Sequence, residues 1–140
     1  MKINVLLFCL IVFLPRLLPA HCQVPCGIYG DGEKFTELEQ HVETVAKAFA
    51  ELGSELNPNQ QVRWVLNKES HAHKIQTELM DYFLTQRIKD SQPNYTELLK
   101  SIHAVAVAAM KCKQSAEVSA VEELRVSLVE FKKLYQESSA

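Results

Sequence analysis

Residues 35–52 read FTELEQHVETVAKAFAEL. Phe35, Leu38, Val42, Val45, Phe49 and Leu52 recur at spacings of 3, 4, 3, 4 and 3. That is the repeat of one helix face, so the segment predicts an amphipathic helix with a single apolar stripe. Asp31 is the expected N-cap, with Glu33 in the first turn beside the positive end of the helix dipole. Gly53 and the NPN tripeptide at 57–59 close the helix.

The same reasoning runs on toward the C-terminus. A second, longer helix is expected from about Gln60 to about Lys89, with Val62, Leu66, Ile75, Leu79, Tyr82 and Phe83 inward and a polar interruption at NKESHAH. DSQPN breaks the chain at Pro93. A third helix carries Leu98, Ile102, Val105, Ala109 and Cys112; its run SIHAVAVAAMKC is small and apolar over more than one face, which suits a central position or a contact with another subunit. A fourth carries Val118, Val121, Leu124, Leu128, Phe131 and Leu134. Four amphipathic helices with short connections predict an all-α, antiparallel four-helix bundle over residues 32–140. No repeat, low-complexity tract or second domain interrupts it.

Toward the N-terminus the character changes. Lys2 precedes INVLLFCLIVFL, an apolar run of 12 residues that is too short to span a bilayer comfortably. LLPA follows and ends at Ala20. Residues 1–20 are expected to be a secretory signal cut after Ala20, the alternative being a retained membrane anchor. The mature chain is then exported (secreted, periplasmic or organellar) and free of the membrane. Beyond residue 20 there are 13 basic and 17 acidic residues, a net charge of −4, which argues against nucleic acid as the main partner. At 47% apolar and 23% charged, the composition is that of an ordinary globular chain.

Between signal and bundle lies HCQVPCGIYGD, residues 21–31. Cleavage after Ala20 would leave His21 with a free α-amine, of pKa roughly 8, low enough to lose its proton to a metal. Cys22 and Cys26 lie four residues apart, and Pro25 helps turn the chain back. One small loop can thus offer an amine nitrogen, the Cys22 backbone nitrogen and two thiolates in a plane, with the His21 imidazole above. Two sulfurs and two nitrogens in a plane suit nickel or Cu(II), whereas zinc prefers a tetrahedron.

The segment HCQVPCGIYGD resembles the N-terminal hook of the nickel-containing superoxide dismutases, with the pattern H-C-x-x-P-C-G-x-Y met at His21, Cys22, Pro25, Cys26, Gly27 and Tyr29. RWVLNKESHAHKIQ and MDYFLTQRIK resemble the family too, and the similarity runs from residue 21 to about residue 137. The resemblance implies a four-helix subunit, assembled as a homohexamer, with one nickel ion per subunit at its hook. It implies disproportionation of superoxide, the substrate, to dioxygen and hydrogen peroxide by one-electron nickel cycling. The His21 amine, the Cys22 amide and the thiolates of Cys22 and Cys26 would be equatorial ligands, and the His21 side chain the axial one. Tyr29 would stand at the mouth, with Tyr82 near it. Glu37 matches the carboxylate that holds the axial imidazole, with Glu39 as its rival, because that ring needs a partner to fix its orientation. Where some members carry an arginine, this chain has His71.

Other readings stay beside this one. A Cys22–Cys26 disulfide in a small secreted helical binding protein needs no metal, and a nickel or copper carrier would use the hook without turnover. Cys112 on an apolar stripe is expected to be buried and inert. His71 and His73, two residues apart, fall on different faces of a helix and are expected on a solvated surface; His41 and His103 are read as lone side chains. Asn94 opens an NYT glycosylation sequon, which a helix cap would also explain.

Overall fold

The computed structural model describes residues 30–115 and 117–138. The expected signal at 1–20 and the candidate site residues His21, Cys22, Cys26 and Tyr29 lie outside the described residues. Four helices account for nearly all of the rest: α1 (Asp31–Leu52), α2 (Pro58–Glu78), α3 (Tyr95–Gln114) and α4 (Val118–Ser138). A π-helical segment, Leu79–Arg87, continues α2 without a break.

Each neighbouring pair is antiparallel, as cross-helix contacts show. Lys34 meets Glu78 and His41 meets His71, so α1 and α2 run in opposite directions. Glu39 pairs with Lys132 and Glu43 with Arg125, which sets α4 antiparallel to α1. Gln76 reaches the Ala106 carbonyl, and Cys112 the Ala120 carbonyl, closing the ring through α3. The expected antiparallel bundle is therefore the observed one.

The stripe of α1 is buried as its spacing predicts, with Phe35, Leu38, Val42, Val45 and Phe49 all inside. So is that of α3: Leu98, Ile102, Val105, Ala109 and Cys112 are buried, joined by Ala108. Phe35, Phe83, Phe131 and Tyr135 form an aromatic cluster with ring centroids 4.7–6.0 Å apart. Burying one such ring contributes about 1.5–3 kcal/mol.

The second half of α2 and its π-helical extension pack as expected, with Ile75, Leu79, Tyr82 and Phe83 buried, but the first half does not. Val62 and Leu66 face outward, 59% and 61% exposed, and with Val65 make an exposed apolar strip. The inward stripe instead runs through Lys68, Ala72, Ile75 and Leu79. A buried lysine hides this stripe from a count of apolar residues. Lys68 Nζ donates to the carbonyls of Cys112, Lys113 and Ser115 at 2.7, 2.6 and 3.2 Å, so it closes the C-terminal end of α3. A cation suits that end, where carbonyls lack intrahelical partners and the dipole is negative.

The helix ends also differ in detail. Asn57 caps α2 by accepting from the Gln60 amide at 3.0 Å, so the helix starts at Pro58, two residues earlier than expected. Gly30, not Asp31, is the N-cap of α1. On α4, Val118 is exposed and Tyr135 takes the buried place beside a half-buried Leu134. Asn94 precedes α3 without capping it through its side chain; its Nδ2 donates to the Leu134 carbonyl at 3.3 Å.

Candidate functional site

Asp31 is the first residue of α1, separated from the segment 21–29 by Gly30 alone. Freed from capping, its carboxylate turns across the bundle end. Oδ1 accepts from the Tyr82 hydroxyl at 2.6 Å and Oδ2 from the Tyr135 hydroxyl at 2.8 Å. Arg87 Nη2 donates to the Tyr82 oxygen at 2.8 Å. Arg87 Nε lies 3.0 Å from Asp31 Oδ1 as an ion pair, although it lacks the alignment of a hydrogen bond. α1, α4 and the π-helical segment thus meet at one carboxylate.

The π winding makes this possible. Tyr82 and Arg87 are five residues apart, which would point them well away from each other on a helix of 3.6 residues per turn. With i→i+5 bonding they share a face. The Arg87 guanidinium also lies over the Tyr82 ring, 5.0 Å from its centroid. Burial, then the bond to Asp31, raises the pKa of Tyr82, and the same causes raise that of Tyr135 further. Both therefore stay protonated near neutral pH, each hydroxyl donating to Asp31.

A second group lines the cleft between α1 and α2. Lys34 Nζ donates to Glu37 Oε2 at 2.8 Å and to Glu78 Oε1 at 3.0 Å, and lies over the Tyr82 ring at 5.9 Å. The Lys34 hydrogen bond holds Glu37 below the usual carboxylate range, while burial pushes Glu78 up despite the same lysine. Burial alone would lower Lys34, but the bonds to Glu37 and Glu78 outweigh it and raise its pKa. Glu78 Oε2 is buried and has no partner among the described residues. Glu37, His41, His73, Lys74, Thr77 and Glu78 border an open cleft of about 410 Å³.

His41 and His71 correct their expected places. They are not lone or freely solvated: their Nδ1 atoms are 3.1 Å apart and the rings meet edge to face at 86°. Burial comes first in lowering both pKa values, followed for His41 by His71 and for His71 by Lys74. An Nδ1–Nδ1 hydrogen bond at this distance needs one ring to donate and the other to accept. His73 is exposed, as a surface position requires.

The two carboxylates considered for the axial imidazole part company. Glu37 belongs to the α1–α2 cleft with Lys34, whereas Glu39 pairs with Lys132 at 2.5 Å on the α4 side. Cys112 is fully buried, its thiol pushed up to about 11 by burial, and it donates to the Ala120 carbonyl at 3.3 Å. It is the inert thiol expected. Among the described residues no three His, Cys, Asp or Glu side chains gather to hold a metal ion, and no helix is long and apolar enough to cross a membrane.

Arg87, Tyr135, Lys34 and Glu78 were not assigned to the site from sequence. Tyr135 lies four residues after Phe131 and seven after Leu128, a spacing that could have revealed it. Arg87 carries no such signal, because the 3.6-residue period sends it elsewhere.

No curated protein sequence matches the chain. A solved structure titled Nickel Superoxide Dismutase (NiSOD) Native 1.30 A Structure shares the fold, with TM-score 0.73 and 19% identity over 86% of this chain and 100% of that one. The family model described as nickel-containing superoxide dismutase matches residues 17–139. That match covers the hook pattern and all four helices, and the chain belongs to the nickel-containing superoxide dismutase family.

Proposed function

We propose that the hook at 21–26 would hold the nickel of this superoxide dismutase, through the His21 amine and imidazole, the Cys22 amide and the Cys22 and Cys26 thiolates. The reaction is disproportionation of superoxide to dioxygen and hydrogen peroxide. The observation that carries the ligand assignment is the complete H-C-x-x-P-C-G-x-Y pattern at residues 21–29 within the family match. The donor set fits, because anionic thiolate and amide donors would stabilise a higher oxidation state of nickel.

Bound nickel supplies the one-electron exchange with superoxide. The chain's own residues shape what surrounds it. Tyr29 and Tyr82 stand at the mouth in this reading. The Tyr82 proton is committed to Asp31 Oδ1 and its oxygen accepts from Arg87, so this phenol orders its surroundings as an acceptor. Glu37 is the carboxylate for the His21 imidazole. Its support is position: Lys34 links Glu37 to the Tyr82 ring, whereas Glu39 is engaged by Lys132 in another groove. Arg87 and Lys34 are the cations of this end, against a chain that is acidic overall after residue 20.

The finer expectations belong to the same proposal. Cleavage after Ala20 creates the liganding amine and accompanies export. Val62, Val65 and Leu66, exposed and contiguous on α2, support self-association into a homohexamer. The alternative of a metal-free binding protein with a Cys22–Cys26 disulfide is not favoured by the family match. The test is metal analysis with a superoxide assay on the mature protein and on Cys22→Ser and Cys26→Ser variants. Nickel and activity should vanish together in both; activity retained by either removes the hook from the mechanism.

A further inference from the structure

The carboxylate at the base of the hook has an unusual set of partners. Asp31 accepts from Tyr135 and Tyr82 at 2.8 and 2.6 Å and is ion-paired to Arg87 at 3.0 Å. These three side chains come from two elements that are far from Asp31 in sequence. A helix N-terminus normally keeps its first carboxylate for its own amides, but here Gly30 caps α1 without a side-chain bond. The helix forgoes a local cap, and the carboxylate ties its first residue to the rest of the bundle instead.

We infer that Tyr135 and Arg87 are positioning residues for the nickel hook: by clamping Asp31 they fix the point and direction in which the chain leaves α1 toward residues 21–29. The inference rests on the assignment of those residues as the hook. The clamp acts on one covalent neighbour after another, since Gly30 and Asp31 are held where the loop begins. It also acts on Tyr82. Arg87 donates to the Tyr82 oxygen while Asp31 accepts from its hydroxyl, so one network sets both the base of the loop and the phenol at its mouth. Tyr135 is the cleanest handle. Its hydroxyl serves Asp31, while its ring packs against Phe35, Phe83 and Phe131 and would stay there without the oxygen.

The experiment compares wild type with Tyr135→Phe, Arg87→Lys and Arg87→Ala, using the full mature chain. Amide exchange over residues 21–31 is read in the metal-free protein, and nickel affinity by titration with the metal alone. In Tyr135→Phe and Arg87→Ala, exchange over 21–31 should rise by about fivefold or more while the buried stretches of α1 and α3 exchange as before. Nickel affinity should fall about tenfold, the size of effect expected when a supporting partner outside the ligand set is lost. Arg87→Lys should recover part of the loss, because it keeps the charge beside Asp31. Unchanged exchange over 21–31 in both Tyr135→Phe and Arg87→Ala overturns the clamp, as does exchange that rises equally throughout the bundle. If wild type binds no nickel, the ligand assignment fails, while the exchange measurement still decides whether Asp31 is the anchor of this segment.

Discussion

The two ends of α1 hold their charges in opposite ways. Near Phe49, Lys68 is 5% exposed and spends its ammonium on three backbone carbonyls that end α3, with Glu69 as its only side-chain ion-pair partner among the described residues. About 27 Å away, at 1.5 Å per helical residue, Asp31 spends its carboxylate on side chains alone, from the π-helical segment and α4. Lys68 satisfies groups that every helix of this kind leaves open, so its work is complete once the chain folds. Asp31 satisfies nothing that α1 requires. Its network instead joins Tyr82, Tyr135 and Arg87 next to the start of the segment proposed to hold the metal. The far end is built for folding, and the near end for holding something in place.

Variants should separate the two ends. The largest effect is expected from Cys22→Ser or Cys26→Ser, which should abolish nickel binding and superoxide turnover while leaving the melting temperature of the metal-free protein where it was. Phe131→Ala opens the aromatic cluster and should cost about 3–5 kcal/mol in denaturant unfolding. Lys68→Met strands the carbonyls at the end of α3 and should cost about 2–3 kcal/mol, with turnover per folded, nickel-loaded molecule unchanged. A drop in that turnover would break the division between the ends.

A smaller effect is expected from acid. The pKa values of His41 and His71 are lowered in the folded state, by burial first. The unfolded chain therefore binds their protons before the folded one does. Their contribution is intact above the ordinary value of 6.5 and is lost as pH falls from there through the folded values. Thermal melts should fall below pH 6.5, and a His41→Asn, His71→Asn double variant should flatten the decline. Least of all, Arg125→Ala removes exposed pairs to Glu43 and Glu122 and should change stability by about 0.5 kcal/mol or less.

What could be read from the sequence follows from which interactions are local. The stripes of α1 and α3 are apolar residues at helical spacing, and they pack as that spacing predicts. The first turns of α2 escape such a reading, with Val62 and Leu66 outside, because the inward face there begins with a lysine whose partners are carbonyls on another helix. The π winding had no marker in residue type, so Arg87 could not be placed beside Tyr82. His41 and His71 were read as separate because they are 30 residues apart and meet only after α1 and α2 pack. Asp31 was read as a cap from its position alone, and only the fold reveals two phenols competing for it. The hook pattern can be read because its fixed positions fall within nine residues of chain, but it lies outside the described residues.

A native mass spectrum of the purified protein tests the central claim most directly. The account predicts a chain that begins at His21, carries one nickel ion and has unbridged Cys22 and Cys26 thiols. A chain that begins elsewhere, or one that begins at His21 with a Cys22–Cys26 disulfide and no nickel, would contradict it.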